Sequence, residues 1–289
     1  MFTLKKWITL ILSSLCCLMV LAGCSKQTPP HVSVKNYLLD DTHSSAAQNE
    51  RIRFLVFHYT AVDEADSLKL LSGENVSAHY LISDRVDSRT REPLVYRLVS
   101  EERRAWHAGV SNWNGRVNLN DSSVGIEIVN LGFTEDMLGH KTWYPFRPQQ
   151  ISALAALAKE IIRRYGITPD NVLGHSDIAP LRKQDPGKLF PWKALAAQGV
   201  GAWPEPLRVQ KYLAGRAPDA PADVLTLQTA LRRYGYDRIP LSGVLDDETR
   251  KTVRAFQMHF RPENTDGIPD AETEAIAKAL DEQYRPAPQ

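Results

Sequence analysis

The sequence predicts an α/β protein with a mixed central sheet flanked by helices, followed by a small C-terminal domain of three helices. Between residues 51 and 205, short apolar strand-like segments alternate with a long amphipathic helix. After residue 221, three helical segments are joined by turn-rich connectors. Of all residues, 43% are hydrophobic and 24% are charged, as in ordinary soluble globular domains. The net charge of +1 gives no electrostatic reason to expect a nucleic-acid partner.

The N-terminus has the layout of an export signal. Lysines at positions 5 and 6 precede an uncharged apolar stretch, residues 7–23, that is short for a membrane span. The stretch leads into LAGCS at residues 21–25, which resembles the lipobox of bacterial lipoproteins. The resemblance implies that residues 1–23 are a lipoprotein signal peptide, cleaved before Cys24, and that Cys24 is lipidated. A plain signal peptide and an uncleaved anchor are the alternatives.

The residues after the cleavage site indicate where the protein resides. Ser25 after the cysteine resembles lipoproteins sorted to the outer membrane, so we expect a lipid-anchored protein that faces the periplasm. Residues 24–50 are polar and are predicted to form a tether. Only Cys24 of the three cysteines would remain after cleavage. The mature chain would therefore have no disulfide, no thiolate metal ligand and no cysteine nucleophile.

Residues 51–205 are predicted to form the main domain. The helix predicted at 148–165 has apolar residues at helical spacing, a proline in its first turn and Gly166 after its end. The strand candidates are rich in branched and aromatic residues, and they are Arg53–His58, His79–Ser83, Val95–Val99 and Ser123–Val129.

A proline-rich segment at 206–221 is predicted to be a linker between two domains. The domain that follows, residues 222–285, has three helical segments with periodic apolar residues: 222–234, 247–260 and 271–280.

Three separated residues have contexts that suit metal binding. His58 and His175 each end a short apolar run, and Asp185 lies ten residues after His175. Two imidazoles and one carboxylate form a common ligand set for catalytic zinc, with the fourth position left for water. Asp177 is the rival for the third ligand.

Two charged residues lie near these candidates in the sequence. Glu127 is a lone acid within an apolar strand, where a charge is costly unless it is paired or functional. Lys183 is two residues before Asp185, and its charge could stabilise an oxyanion. The alternatives are an outward-facing glutamate and a solvated loop lysine.

Six short motifs occur in an order that identifies a family. They are FHYT (57–60), SAHY (77–80), AWHAG (105–109), VGIEI (124–128), GHSDIAP (174–180) and KQDPG (183–187). The order resembles the zinc-dependent N-acetylmuramoyl-L-alanine amidases of the peptidoglycan-recognition-protein and phage-lysozyme-type superfamily.

The resemblance implies one Zn²⁺ per chain, held by His58, His175 and Asp185. It implies that Glu127 is the general base, with Lys183 beside it in catalysis. Trp106, His107 and His79 resemble positions on the substrate side, although a buried structural role explains His79 equally well.

The C-terminal segment resembles the small peptidoglycan-binding module of many cell-wall hydrolases. The similar parts are LQ at 227–228, GY at 235–236, FQ at 256–257 and DG at 266–267. The alternative is a three-helix domain that only packs on the first domain.

The expected reaction is hydrolysis of the amide between N-acetylmuramic acid, including its 1,6-anhydro form, and L-alanine of the stem peptide. The expected partners are peptidoglycan, muropeptides and the outer membrane, and we expect a monomer. Three rivals remain: a recognition protein that does not cut, a lipoprotein that anchors the outer membrane to the wall, and a zinc peptidase that cuts elsewhere in the stem.

Overall fold

The structure, a computed structural model, describes residues 31–34 and 36–285. The predicted signal peptide and Cys24 lie outside these residues. The chain divides into two compact units, residues 1–49 and 50–289. Within the described residues, no helix combines the length and apolar character that a bilayer span requires.

The described part of the first unit contains an antiparallel hairpin. Its strands are β1 (His31–Val34) and β2 (Tyr37–Asp40). The hairpin lies inside the segment predicted to be a tether, which shows that this segment includes regular structure.

A five-stranded mixed sheet organises the second unit. Its strands are β3 (Phe54–Tyr59), β4 (Tyr80–Val86), β5 (Pro93–Arg97), β8 (Ser123–Ile128) and β11 (Val172–Gly174), in the order β11-β3-β8-β4-β5. Neighbouring strands are parallel except for β4 and β5. This confirms the predicted mixed sheet.

Shorter elements surround the sheet. The helices of this part are α1 (Glu64–Leu71), α2 (Pro148–Tyr165), α3 (His175–Ile178) and α4 (Trp192–Ala196), with 3-10 turns at Leu119–Asp121 and Pro169–Asn171. Two hairpins were not foreseen from the sequence: β6 (Asn112–Trp113) with β7 (Arg116–Val117), and β9 (Phe133–Glu135) with β10 (Lys141–Trp143).

The central strands β3 and β8 are buried on both faces. In β3, Leu55 and Phe57 pack toward α2, while Phe54 and Val56 pack on the opposite side of the sheet. Side chains alternate along a strand, so His58 lies on the same side as Phe54 and Val56. The register pairs His58 with Glu127 on β8. The sheet therefore brings both candidate residues to one face.

Four helices follow the sheet. They are α5 (Pro206–Leu213), α6 (Val224–Tyr234), α7 (Asp247–Phe260) and α8 (Ala271–Tyr284). The last three confirm the predicted helical domain, and an aspartate side chain caps the start of each. Helix α5 lies in the segment predicted to be a linker and packs on α8. This segment is therefore ordered rather than a simple spacer.

The C-terminal helices share a hydrophobic core with the sheet. Trp113 is fully buried, and its ring centroid lies 5.6 Å from that of Tyr234 and 4.9 Å from that of Tyr236. A Cβ on Gly235 would approach the Trp113 ring to 2.6 Å, which explains glycine at this close contact. The helical domain therefore packs tightly on the first domain.

Candidate active site

Three buried side chains converge where β3 and β11 end. Nδ1 of His58 lies 3.0 Å from Nδ1 of His175, and Oδ2 of Asp185 lies 3.0 Å from each of these nitrogens. His58 ends the apolar run of β3, and His175 follows β11 directly. The sheet thus places the three predicted ligands close enough to hold one metal ion.

The surroundings of His175 favour metal binding. Its Nε2 lies 3.1 Å from the carbonyl oxygen of Ala108. Arg182 Nη2 donates to the carbonyls of Ala108, at 2.5 Å, and Val110, at 2.8 Å, and also lies 3.3 Å from Nε2 of His175. Because a carbonyl oxygen only accepts, the contact of His175 with Ala108 is a hydrogen bond that Nε2 donates. This leaves the Nδ1 lone pair free, as a metal ligand requires.

The pKa values of His58 and Asp185 also favour metal binding. Burial and the neighbouring His175 lower the pKa of His58 to about 4. Burial acts to raise the pKa of Asp185, but contacts with His175 and His58 outweigh it and hold that pKa below its usual range. A neutral imidazole and an ionised carboxylate are the states that bind a cation.

Asp177, the rival ligand, faces away from the cluster. Its Oδ2 accepts hydrogen bonds from the Gly174 amide at 2.7 Å and lies 2.7 Å from Nδ1 of His259. Its Oδ1 accepts from the Tyr236 hydroxyl at 2.5 Å. Asp177 therefore joins the C-terminal helices to the segment that presents His175.

Glu127 borders the cluster. Its Oε1 lies 4.0 Å from Nδ1 of His58, and its buried Oε2 has no hydrogen-bond partner among the described residues. Burial, assisted by the charge of Asp185, raises the pKa of Glu127 to about 8. Glutamate with a raised pKa beside a metal-binding cluster is suited to proton transfer.

A cleft of about 380 Å³ opens over these residues. Glu127, His175 and Asp185 border it, as do Lys183 and Trp106. Trp106 is 51% exposed, and the Arg104 guanidinium lies 4.2 Å from its ring centroid. An exposed indole and a lysine at the rim provide an apolar surface and a positive charge for a substrate.

The two remaining histidines differ in their relation to this opening, because His107 borders the cleft and His79 does not. His79 is fully buried, its Nδ1 accepts from the Gly125 amide at 3.0 Å, and its Nε2 lies 3.1 Å from the Arg103 carbonyl. The structural interpretation of His79 is thus favoured over its predicted place on the substrate side. His107 borders the cleft, but its Nδ1 lies 3.1 Å from Nε2 of His58 and so backs that ligand.

Two residues of the site were missed in the sequence. Arg182 donates to the same Ala108 carbonyl that His175 contacts, and Tyr59 borders the cleft. Tyr59 follows His58 within the FHYT motif, and Arg182 precedes Lys183. Their position next to candidate residues was the only available signal.

Comparisons with known proteins agree with this geometry. Residues 48–188 match the family model described as N-acetylmuramoyl-L-alanine amidase, and residues 221–276 match a peptidoglycan binding domain. The N-acetylmuramoyl-L-alanine amidase AmiD of Escherichia coli is 49% identical over 266 residues, which cover 92% of this chain and 95% of that protein.

Solved structures extend the similarity to most of the chain. One is the E. coli AmiD complex with the substrate anhydro-N-acetylmuramic acid-L-Ala-D-gamma-Glu-L-Lys, with 49% identity, a TM-score of 0.83 and coverage of 88% of this chain and 98% of that one. Another is AmpDh3 of Pseudomonas aeruginosa in complex with anhydromuramic pentapeptide, with 45% identity, a TM-score of 0.75 and the same coverage. The predicted fold and amidase class are confirmed, and the chain belongs to the N-acetylmuramoyl-L-alanine amidase family.

Proposed function

We propose that this chain uses one zinc ion to hydrolyse the amide between N-acetylmuramic acid and L-alanine of peptidoglycan stem peptides. The observation behind this proposal is the buried set of His58, His175 and Asp185, of which His175 and Asp185 border an open cleft. Zinc is the metal that this donor set suits, since two imidazoles and a carboxylate leave a position open. When bound there, zinc supplies Lewis acidity and lowers the pKa of water.

The protein side chains perform the remaining tasks. Glu127 takes a proton from the attacking water and passes it to the amine that leaves with the stem peptide. Its unpaired Oε2 and raised pKa support this role, because the carboxylate can bind a proton reversibly near neutral pH. Lys183 at the cleft rim stabilises the negative charge that develops on the carbonyl oxygen.

The substrate proposal includes the 1,6-anhydro form of the sugar. Both solved relatives named above carry an anhydromuramic peptide. In this chain, the exposed face of Trp106 offers an apolar surface at the cleft for the sugar or the first residues of the stem.

Incubation of the purified chain with defined muropeptides, followed by mass spectrometry, tests the reaction. We expect free stem peptide and peptide-free sugar from ordinary and anhydro substrates, with both products lost after zinc chelation and restored by added zinc. Glu127→Gln should retain zinc and lose activity by about 10²–10⁴-fold, the usual contribution of a general base. Cleavage at another bond of the stem would refute the amidase proposal in favour of a peptidase.

We also propose that Cys24 is lipidated and that the protein is held as a monomer at the outer membrane, facing the periplasm. The lipobox-like LAGCS at residues 21–25 supports the anchor. The match of residues 221–276 to a peptidoglycan binding domain supports additional contact with the wall. A non-catalytic anchor is disfavoured because the complete ligand set and Glu127 are present.

Membrane fractionation of wild type and Cys24→Ala tests the anchor. We expect the wild type in the outer-membrane fraction and the variant in the periplasm. Equal distribution of the two proteins would contradict lipidation at Cys24.

A further inference from the structure

A row of buried polar groups continues from His58 away from the cleft. Nε2 of His58 lies 3.1 Å from Nδ1 of His107, and Nε2 of His107 lies 3.1 Å from Oγ of Ser123. The Ser123 hydroxyl in turn donates to the Leu119 carbonyl at 2.7 Å. All four residues are buried, so each polar group depends on its neighbour rather than on water.

The Leu119 carbonyl determines which group donates and which accepts in each hydrogen bond of this row. A carbonyl only accepts, and a serine hydroxyl has one proton, so Ser123 spends that proton on Leu119. Ser123 Oγ then accepts from Nε2–H of His107. This leaves Nδ1 of His107 as an acceptor, and Nε2–H of His58 donates to it. Nδ1 of His58 consequently keeps a bare lone pair directed at His175 and Asp185.

We propose that His107 and Ser123 are positioning residues that hold His58 in its metal-binding tautomer. The inference rests on the proposed zinc site but concerns residues that do not contact the metal. If the hydrogen bonds ran in the opposite direction, Ser123 would donate to Nε2 of His107, and Nδ1–H of His107 would donate to Nε2 of His58. The neutral His58 ring would then carry its proton on Nδ1. That tautomer has no lone pair for a metal.

Packing against Gly125 and His79 holds the His107 ring in place in addition to its hydrogen bonds. The ring lies over Gly125 of β8, where a Cβ would overlap it. His79 meets the same ring edge-on, with 5.8 Å between ring centroids. Glycine in the VGIEI motif thus makes room for His107, whose ring contacts both His58 and His79.

The two sides of the metal site are supported in different ways. A backbone carbonyl holds His175, as shown by its contact with Ala108. Two side chains hold His58, and side chains can be replaced one at a time. The row of hydrogen bonds from Ser123 through His107 to His58 can therefore be tested directly on the full-length chain.

The test is zinc affinity, measured by competition with a chromophoric chelator. Loss of an outer hydrogen-bond partner of a metal-bound histidine weakens metal binding by about 10–100-fold, so we expect a loss of this size in His107→Phe. Ser123→Ala should lose about tenfold, and Ser123→Thr should restore affinity because it keeps the hydroxyl. Ser122→Ala is the matched control, since the buried Ser122 Oγ has no partner among the described residues.

A second readout uses the metal-free chain and does not depend on zinc. Nitrogen-15 NMR of the histidine rings should show His58 protonated at Nε2 in the wild type and a mixture of tautomers in Ser123→Ala. Zinc affinity within about twofold of wild type in both His107→Phe and Ser123→Ala would overturn the inference. If His107→Phe does not fold, Ser123→Ala decides. A wild-type chain that binds no zinc would refute the proposed function. The NMR result would still show whether His107 and Ser123 determine the tautomer of His58.

Discussion

Asp177, in α3, and Asp185, in the loop that follows α3, are both buried, yet their surroundings differ. Asp177 receives hydrogen bonds or contacts from Gly174, Tyr236 and His259, which together satisfy both of its carboxylate oxygens. Asp185 meets two histidine nitrogens, and its surroundings open into the cleft.

The difference shows that burial alone does not assign a role to a carboxylate. The partners of Asp177 satisfy its oxygens and fasten two parts of the fold together. The partners of Asp185 are candidate metal ligands, and the donor atoms of all three residues lie close enough together to hold one ion. Removal of Asp177 should therefore act on stability, and removal of Asp185 should act on metal binding and catalysis.

The largest effect is expected from Asp185→Asn. The change removes an anionic ligand, and metal-assisted stabilisation of the transition state is worth several kcal/mol. We expect activity on muropeptides to fall by about a thousandfold or more, together with zinc content. Metal analysis and product detection in the same preparation measure this. Full zinc content in the variant would contradict the assignment of Asp185 as the third ligand.

Asp177→Asn should instead lower the free energy of unfolding. The amide has one acceptor oxygen, so it cannot satisfy the hydroxyl of Tyr236, the Gly174 amide and His259 together. Removal of one partner from a buried charged cluster costs about 3–5 kcal/mol. Chemical denaturation measures the loss, with Asp185→Asn as the comparison. A loss of zinc with unchanged stability would reverse the roles given to the two aspartates.

A third buried carboxyl, Glu127, sharpens the comparison because it lacks a partner for Oε2 among the described residues. In the unfolded chain it ionises near its usual pKa of 4.5, and in the folded metal-free chain near 8. Between these values unfolding releases a proton, so wild-type stability falls as pH rises from about 4.5 to about 8.

Glu127→Gln removes this pH dependence. The variant should gain stability relative to the metal-free wild type as pH rises through that range, on the order of 5 kcal/mol in total, and the gain should then level off. Thermal or chemical unfolding at a series of pH values measures it. Glu160→Gln, at an exposed position of α2, is the control. A pH-independent difference would argue that Glu127 has an ordinary pKa.

The smallest effect is expected from Tyr236→Phe. The ring remains against Trp113, but Oδ1 of Asp177 loses its hydroxyl donor. An unsatisfied buried acceptor costs about 1–3 kcal/mol, so unfolding should become easier by that amount while zinc affinity stays near that of wild type. Tyr144→Phe is the control at a more exposed position. Equal stability of the two variants would show that the hydroxyl bond adds nothing.

Local patterns were enough to predict much of the fold. Helix α2 begins at Pro148 and ends at Tyr165 as expected, because its apolar spacing, first-turn proline and closing Gly166 all act within the segment. The paired hairpins β6–β7 and β9–β10 were missed, since two or three residues give no periodicity. Helix α5 was missed because its flanking prolines resemble a linker.

Site residues could be predicted where a short motif in the sequence marked the residue as a candidate ligand. His58, His175 and Asp185 converge as expected, although their assignment as zinc ligands remains a proposal. The sequence did not decide between Asp177 and Asp185 as the third ligand, because the partners of Asp177 lie far away in the sequence: Tyr236 follows α6, and His259 is in α7. The position of His107 behind His58 also depends on contacts with His58 of β3 and Gly125 of β8, which the motif that contains His107 does not reveal.

The burial of Trp113 beneath Tyr234 and Tyr236 has an evolutionary consequence. Recombination usually exchanges modules whose surfaces are already complete. Here the exchange of the C-terminal helices alone would expose the Trp113 indole, which would lose its contacts with Tyr234 and Tyr236. We therefore expect the two segments to change together, with substitutions at Trp113 and Gly235 constrained as a pair because a Cβ on Gly235 would meet the Trp113 ring.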